Sequence, residues 1–174
     1  MLDDAHKVWT TVGSAGTLDQ ADLAKVHLFQ SIVQLGVDFA NPTPGAAPAA
    51  RVIFPTTQAV IRYNVTPVEG LFFPTTNFKY QLRVRYRGHV TAKLMQANIL
   101  TGVETQLILF DSNKFPPNAG FELQQVSAPN DSAFLDFVNN GFYVEATLIT
   151  SAIAIGNPSA ISLIQVIASP DFSG

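Results

Sequence analysis

The chain has 174 residues, of which 47% are apolar and only 13% charged, about half the usual charged share of roughly 25%. There is no cysteine, which excludes disulfides, a thiolate nucleophile and a Cys-ligated metal. No run reaches the ~18 apolar residues of a membrane helix, and the acidic start Met1-Leu2-Asp3-Asp4-Ala5-His6 lacks the apolar core of a signal peptide.

In chain order, strand signals dominate: β-branched and aromatic residues alternate with polar ones between Gly, Pro and Asn clusters. Residues 1–6 read as an extension, and Lys7 to Val12 as a first strand ending at Gly13-Ser14-Ala15-Gly16. Asp19 to Leu35 carries two patterns. Thr17 with Gln20 fits a capping box, and Leu23, Val26, Phe29 and Val33 have helical spacing, while Val26, Leu28, Gln30 and Ile32 alternate. The alternation favours a strand over Lys25 to Leu35.

Asn41 to Ala50 is a Pro/Ala/Gly loop, short enough to cross between two sheets inside one domain that spans residues 1–174. Gln58 to Val65 and Phe78 to Arg87 are the clearest strands. In the second, Tyr80, Leu82, Val84 and Tyr86 share one face, and Gln81, Arg83, Arg85 and Arg87 the other. His89 to Leu100 is expected to pair with Val103 to Phe110 through Leu100-Thr101-Gly102. Phe54-Pro55-Thr56-Thr57 recurs as Phe73-Pro74-Thr75-Thr76, which reads as reused turn chemistry rather than a repeat array. Ala133 to Val138 and Phe142 to Thr150 flank Asn139-Asn140-Gly141, a hairpin signal in which the turn residues take positive φ. Ala160 to Ala168 is apolar almost throughout and reads as a covered central strand. About nine or ten short strands and no firm helix predict an all-β antiparallel sandwich of jelly-roll type.

Chemistry is sparse. The Gly13–Gly16 stretch does not match G-x-S-x-G, and His6, His27 and His89 have no ligand-spaced partner. No P-loop, H-E-x-x-H or G-x-G-x-x-G occurs, so neither a metal nor a cofactor is expected, and the chain does not read as an enzyme. Glu145, on a strand face with Tyr143 and Thr147, is the best carboxylate candidate for a glycosidase pair; a solvent-facing residue is the plainer reading. Asp111-Ser112-Asn113 reads as a turn, not a Ca²⁺ loop.

The formal net charge of −3 is unevenly spread: residues 51–93 hold seven basic residues and one acidic one, Glu69. Arg83, Arg85 and Arg87 would present three guanidinium groups about 7 Å apart, a spacing suited to phosphates, sulfated glycans or carboxylates. Nucleic acid is not expected, since the balance is acidic and Tyr80 and Tyr86 fall on the opposite face. Tyr63 groups with Ile61 and Val65 as core. Trp9 and Tyr143 are the aromatic residues whose neighbours suggest exposure or coverage by a partner.

Low and segregated charge, an apolar last strand and a covered Trp9 together suit a non-catalytic structural subunit that associates with itself into an oligomer, fibre or shell. A carbohydrate-binding module using Trp9, Tyr143 and the Arg83/Arg85/Arg87 strand is the alternative, with a glycan or an anionic polymer as partner. Either role suits an extracellular, surface or virion protein. Asn64-Val65-Thr66 and Asn130-Asp131-Ser132 are glycosylation sequons if the chain is secreted by a eukaryote.

Overall fold

Alternating burial along extended segments builds this protein. The computed structural model describes residues 7–23, 25–35, 58–66, 78–116, 120–129, 138–149 and 158–170. Among them run eleven strands: β1 (Lys7–Val12), β2 (Thr17–Leu18), β3 (Val26–Phe29), β4 (Ile32–Leu35), β5 (Gln58–Val65), β6 (Phe78–Arg87), β7 (His89–Asn98), β8 (Glu104–Asp111), β9 (Glu122–Ser127), β10 (Asn140–Ile149) and β11 (Ala160–Pro170). One four-residue helix, α1 (Gln20–Leu23), lies between β2 and β3. No described helix is long and apolar enough to cross a membrane.

The strands form two antiparallel sheets. The larger has the order β3-β4-β11-β6-β9, with β1 also on β11; the smaller has the order β2-β5-β10-β7-β8. Successive strands mostly change sheet, and only the β3–β4 and β7–β8 pairs stay within one. This is the jelly-roll-like sandwich that the strand pattern predicts.

Between the sheets lies one apolar core. Tyr80, Leu82, Val84 and Tyr86 of β6 are buried against Ile61 and Tyr63 of β5, Leu94 of β7, Phe110 of β8 and Val144 of β10, all in one cluster. Burying each such side chain is worth about 1.5–3 kcal/mol. Phe110 meets Tyr86 edge-on at 5.3 Å and stacks on Phe115 at 5.5 Å.

β11 shares one edge between two partners. Ala160 and Ile161 pair with β4, and Leu163 to Ala168 pair with β1. The changeover coincides with a register shift between Ile161 and Leu163. Gly13, just after β1, packs there with its Cα against the Ile161 carbonyl, and the buried Tyr63 hydroxyl donates to the Gly13 carbonyl at 2.7 Å. β2 is too short to cover β5, so Asp22 of α1 does part of that work. Its carboxylate accepts from the Val60 N–H at 3.0 Å and from Lys25 at 2.6 Å. Burial opposes ionisation of Asp22, but those two donors outweigh it and hold the carboxyl below its ordinary range.

Two local expectations are corrected. Lys25 to Leu35 is not one strand but the hairpin β3–β4, turned at Gln30 with φ +47°, and residues 20–23 are helical. Thr17 does not cap that helix; it belongs to β2 and its hydroxyl donates to the Arg62 carbonyl. Asn139-Asn140-Gly141 does not close a hairpin. Asn140 and Gly141 already belong to β10, whose two edges are taken by β5 and β7, and none of the three has positive φ. The strand expected at 133–137, the loop at 41–50 and the segment 1–6 lie outside the described residues. At the β7–β8 turn Gly102 takes φ +68°, and Asn98 accepts from the Leu100 and Thr101 amides.

A Cβ on Gly13 would lie 2.0 Å from the Ile161 carbonyl oxygen. Gly13→Ala is therefore expected to lose about 1–3 kcal/mol in urea denaturation. Gly141→Ala, in a strand with open space around it, is expected to be neutral or to gain up to about 1 kcal/mol.

Candidate functional site

The six residues singled out from sequence fall in three separate places. Trp9 is in the core at 8% exposure, which corrects the expectation of an exposed or partner-covered ring. Its polar neighbours Lys7 and Thr11 mislead because the parity of β1 is set by its pairing with β11. Trp9 lies opposite Val166, which is fully buried, while Thr10 lies opposite Gln165 and faces out.

Tyr143 and Glu145 lie on the outer face of the smaller sheet. There Glu145 is flanked by Arg62 on β5 and Lys93 on β7, its register partners. Arg62 Nε donates to Glu145 at 3.1 Å and Lys93 Nζ is 4.0 Å away. The neighbours of Glu145 are thus two cations, not the hairpin partner expected from sequence. Such exposed pairs are worth about 0.2–1 kcal/mol. The Tyr143 hydroxyl donates to Glu104 at 2.8 Å. This face is charge-compensated: its acids and bases have one another. At its edge, His89 Nε2 is 2.9 Å from Asn113 Nδ2 and 3.8 Å from Asp111. Among the described residues there is no group of three or more His, Asp or Glu side chains that could hold a metal ion.

The outer face of the larger sheet is built differently. Arg83, Arg85 and Arg87 project from β6, which lies between β11 and β9. The registers align Thr10, Gln165, Arg83 and Gln125 across β1, β11, β6 and β9. Gln165 Nε2 donates to Thr10 Oγ1 at 3.2 Å, and Arg83 Nη1 to Gln165 Oε1 at 3.4 Å. Arg83 Nε and Nη2 donate to Gln125 Oε1 at 3.2 and 2.9 Å. The result is a polar ladder four strands wide.

One step along β6, Arg85 donates to Ser162 Oγ at 3.3 Å and flanks the half-exposed Leu123. Arg87 donates to Gln34 Oε1 at 2.8 Å and to the Pro158 carbonyl at 3.3 Å. The Phe121 ring is shared by both: the Arg85 and Arg87 guanidinium carbons lie 5.3 and 5.1 Å from its centroid. Each such cation–π contact contributes about 0.5–1 kcal/mol at an exposed site.

None of the three arginines has a carboxylate partner among the described residues. Every acceptor they reach is a neutral amide, hydroxyl or backbone carbonyl. The strands of this sheet contain one acidic residue, Glu122, which lies opposite Tyr86 with the inward set of β9 rather than with Leu123 and Gln125. Each guanidinium carries five N–H donors. In the described contacts Arg83 uses three, Arg87 two and Arg85 one.

Gln125, Gln165, Gln34, Ser162 and Phe121 complete this surface and were not singled out from sequence. Gln165 had a signal, as a lone amide in the apolar run of β11. Gln125 and Phe121 had little, because the β9 segment ELQQVS has only one β-branched residue and becomes a strand by pairing with β6.

Burial, then the Glu104 hydrogen bond, push the Tyr143 phenol up to about 12 from 10.0. A raised folded-state pKa stabilises below the unfolded value and is lost as pH climbs through the folded one. Stability is therefore expected to fall between pH about 10 and about 12, and Tyr143→Phe to remove part of that fall. Urea midpoints measured across the alkaline range check this.

No protein-family model matches the chain, nor does any curated protein sequence. Among solved structures, it is similar to a mutant of the family 29 carbohydrate-binding module CBM29-2, with a TM-score of 0.39 and 8% identity, covering 95% of this chain and 91% of that one. It is also similar to the enzymatically active domain of bacteriophage CBA120 tailspike protein 4, at TM-score 0.37 and 14% identity over 92% of this chain and 19% of that one. A third is the Podospora anserina GH26-CBM35 β-(1,4)-mannanase, at TM-score 0.36 and 13% identity over 99% of this chain and 29% of that one.

Proposed function

We propose that this chain is a non-catalytic saccharide-binding module that holds its ligand on the outer face of the larger sheet. The observation that carries the reading is the set of three arginines on β6, which among the described residues are hydrogen-bonded only to neutral groups and retain unspent donors. A polyhydroxylated ligand needs many donors and acceptors fixed in one plane, and here they rise from paired strands rather than loops. The amides of Gln125 and Gln165 supply acceptors and donors, and Phe121 and Leu123 supply apolar area beside them.

The opposite face is the poorer candidate. Binding of an anion there would compete with the Glu145 carboxylate, which already faces Arg62 and Lys93, and with the Tyr143–Glu104 bond. The absence of catalysis belongs to the same proposal: Glu145 lies between two cations, on the far side of the sandwich from the arginine row. Self-association, the other role that the composition suggests, has lost its anchor, because Trp9 fills the core. A ligand face of this kind suits a protein acting outside the cell or on a surface.

A saccharide array followed by affinity electrophoresis tests the proposal. Arg83→Gln is expected to weaken binding about tenfold or more, the scale of one lost charged hydrogen bond, and Phe121→Ala to weaken it through lost apolar area and lost bracing of Arg85 and Arg87, while Tyr143→Phe retains it. Failure to retain any saccharide, with light scattering showing a concentration-dependent oligomer, would overturn the reading in favour of assembly.

A further inference from the structure

We infer that the saccharide this face takes is a polyuronate, a chain bearing a carboxylate on its sugar rings. The inference rests on the saccharide-binding reading and deepens it.

The argument is one of charge. A neutral glycan asks for hydrogen bonds, which glutamine, asparagine and serine supply without the cost of gathering cations. This face instead aligns three guanidinium groups about 7 Å apart along one strand, a repulsive arrangement unless something answers it. Nothing among the described residues does, since all their acceptors are neutral. The packing holds the cations in place: Phe121 braces Arg85 and Arg87, and Gln125 with Gln165 braces Arg83 from both sides. Arg85 is the most exposed of the three and spends one of its donors, so it has the most left for the two oxygens of a planar carboxylate, which the guanidinium fork matches.

The surroundings of the cations also bear on which polyanion they take. The three cations are set among neutral amides, hydroxyls and leucines, on a chain whose net charge is −3. Nucleic acid would need stacking platforms. Tyr80 and Tyr86 are buried, and Phe121 is already occupied by two guanidinium groups. A polyuronate answers the three cations with planar carboxylates carried on its sugar rings, which the guanidinium fork matches.

The test compares polygalacturonate with its methyl-esterified form, the same backbone without the charge, by calorimetry on the full chain. Dextran sulfate and single-stranded DNA serve as polyanions that lack carboxylates. Expected are binding to polygalacturonate that weakens with added salt, at least about tenfold weaker binding to the ester, and a similar loss in Arg85→Gln. Arg85→Lys, which keeps the charge but not the fork, is expected to fall between. The ester comparison uses unaltered protein, so it decides even if a variant fails to fold. Equal binding to the ester overturns this inference and leaves the saccharide reading standing. Binding to dextran sulfate or DNA as tight as to polygalacturonate overturns it too, because the face would then read charge alone. No binding to any saccharide overturns both.

Discussion

One edge of β11 is longer than either strand that pairs with it there, and the larger sheet is arranged around that constraint. Its apolar residues must be shielded, yet β1 pairs only from Leu163 onward and β4 only with Ala160 and Ile161. At the junction the register of the opposite edge shifts, and the chain leaving β1 passes close enough to the Ile161 carbonyl that Gly13 has no room for a side chain. Tyr63 reaches across from the other sheet to bond the Gly13 carbonyl. The two layers are thereby tied where the larger sheet changes partner, and β6 pairs along the opposite edge of β11 with a register shift at Ser162.

That pairing also assembles the outer face. Because Gln165 falls opposite Arg83, and Gln125 opposite it from the other side, a strand with three arginines becomes the middle of a polar ladder. A slip of one residue along β11 would send Gln165 into the core and bring Val166 or Ile164 outward. Core and surface thus share one register, so the arrangement of the arginines is specified by the burial of the apolar residues between them.

The two outer faces handle charge in opposite ways. On the smaller sheet, cross-strand neighbours are of opposite sign: Glu145 lies between Arg62 and Lys93, and Arg62 also faces Asp19. On the larger sheet the cations are braced by uncharged groups, and no described residue cancels their charge. A face of the first kind contributes modest stability and asks for nothing further. One of the second kind is preorganised for an anion, since side-chain ordering has been met by the fold before a ligand arrives.

Much of this was determined by the sequence alone. Strict alternation in β6 separates Tyr80, Leu82, Val84 and Tyr86 from Arg83, Arg85 and Arg87, because a period of two leaves a strand no other choice. The apolar run of β11 and the turn at Gly102 were legible for the same local reason. What only the tertiary structure decided is parity and partnership where local pattern is weak. Trp9 carries polar neighbours on its own face, and its direction follows from Val166 across the strand. Asn139-Asn140-Gly141 has hairpin chemistry, but β10 has no free edge for a hairpin partner. The glutamines and Phe121 that frame the arginines come from β4, β9 and β11 and the segment before β9, far apart in the chain, and only hydrogen-bond register across the sheet brings them to one surface.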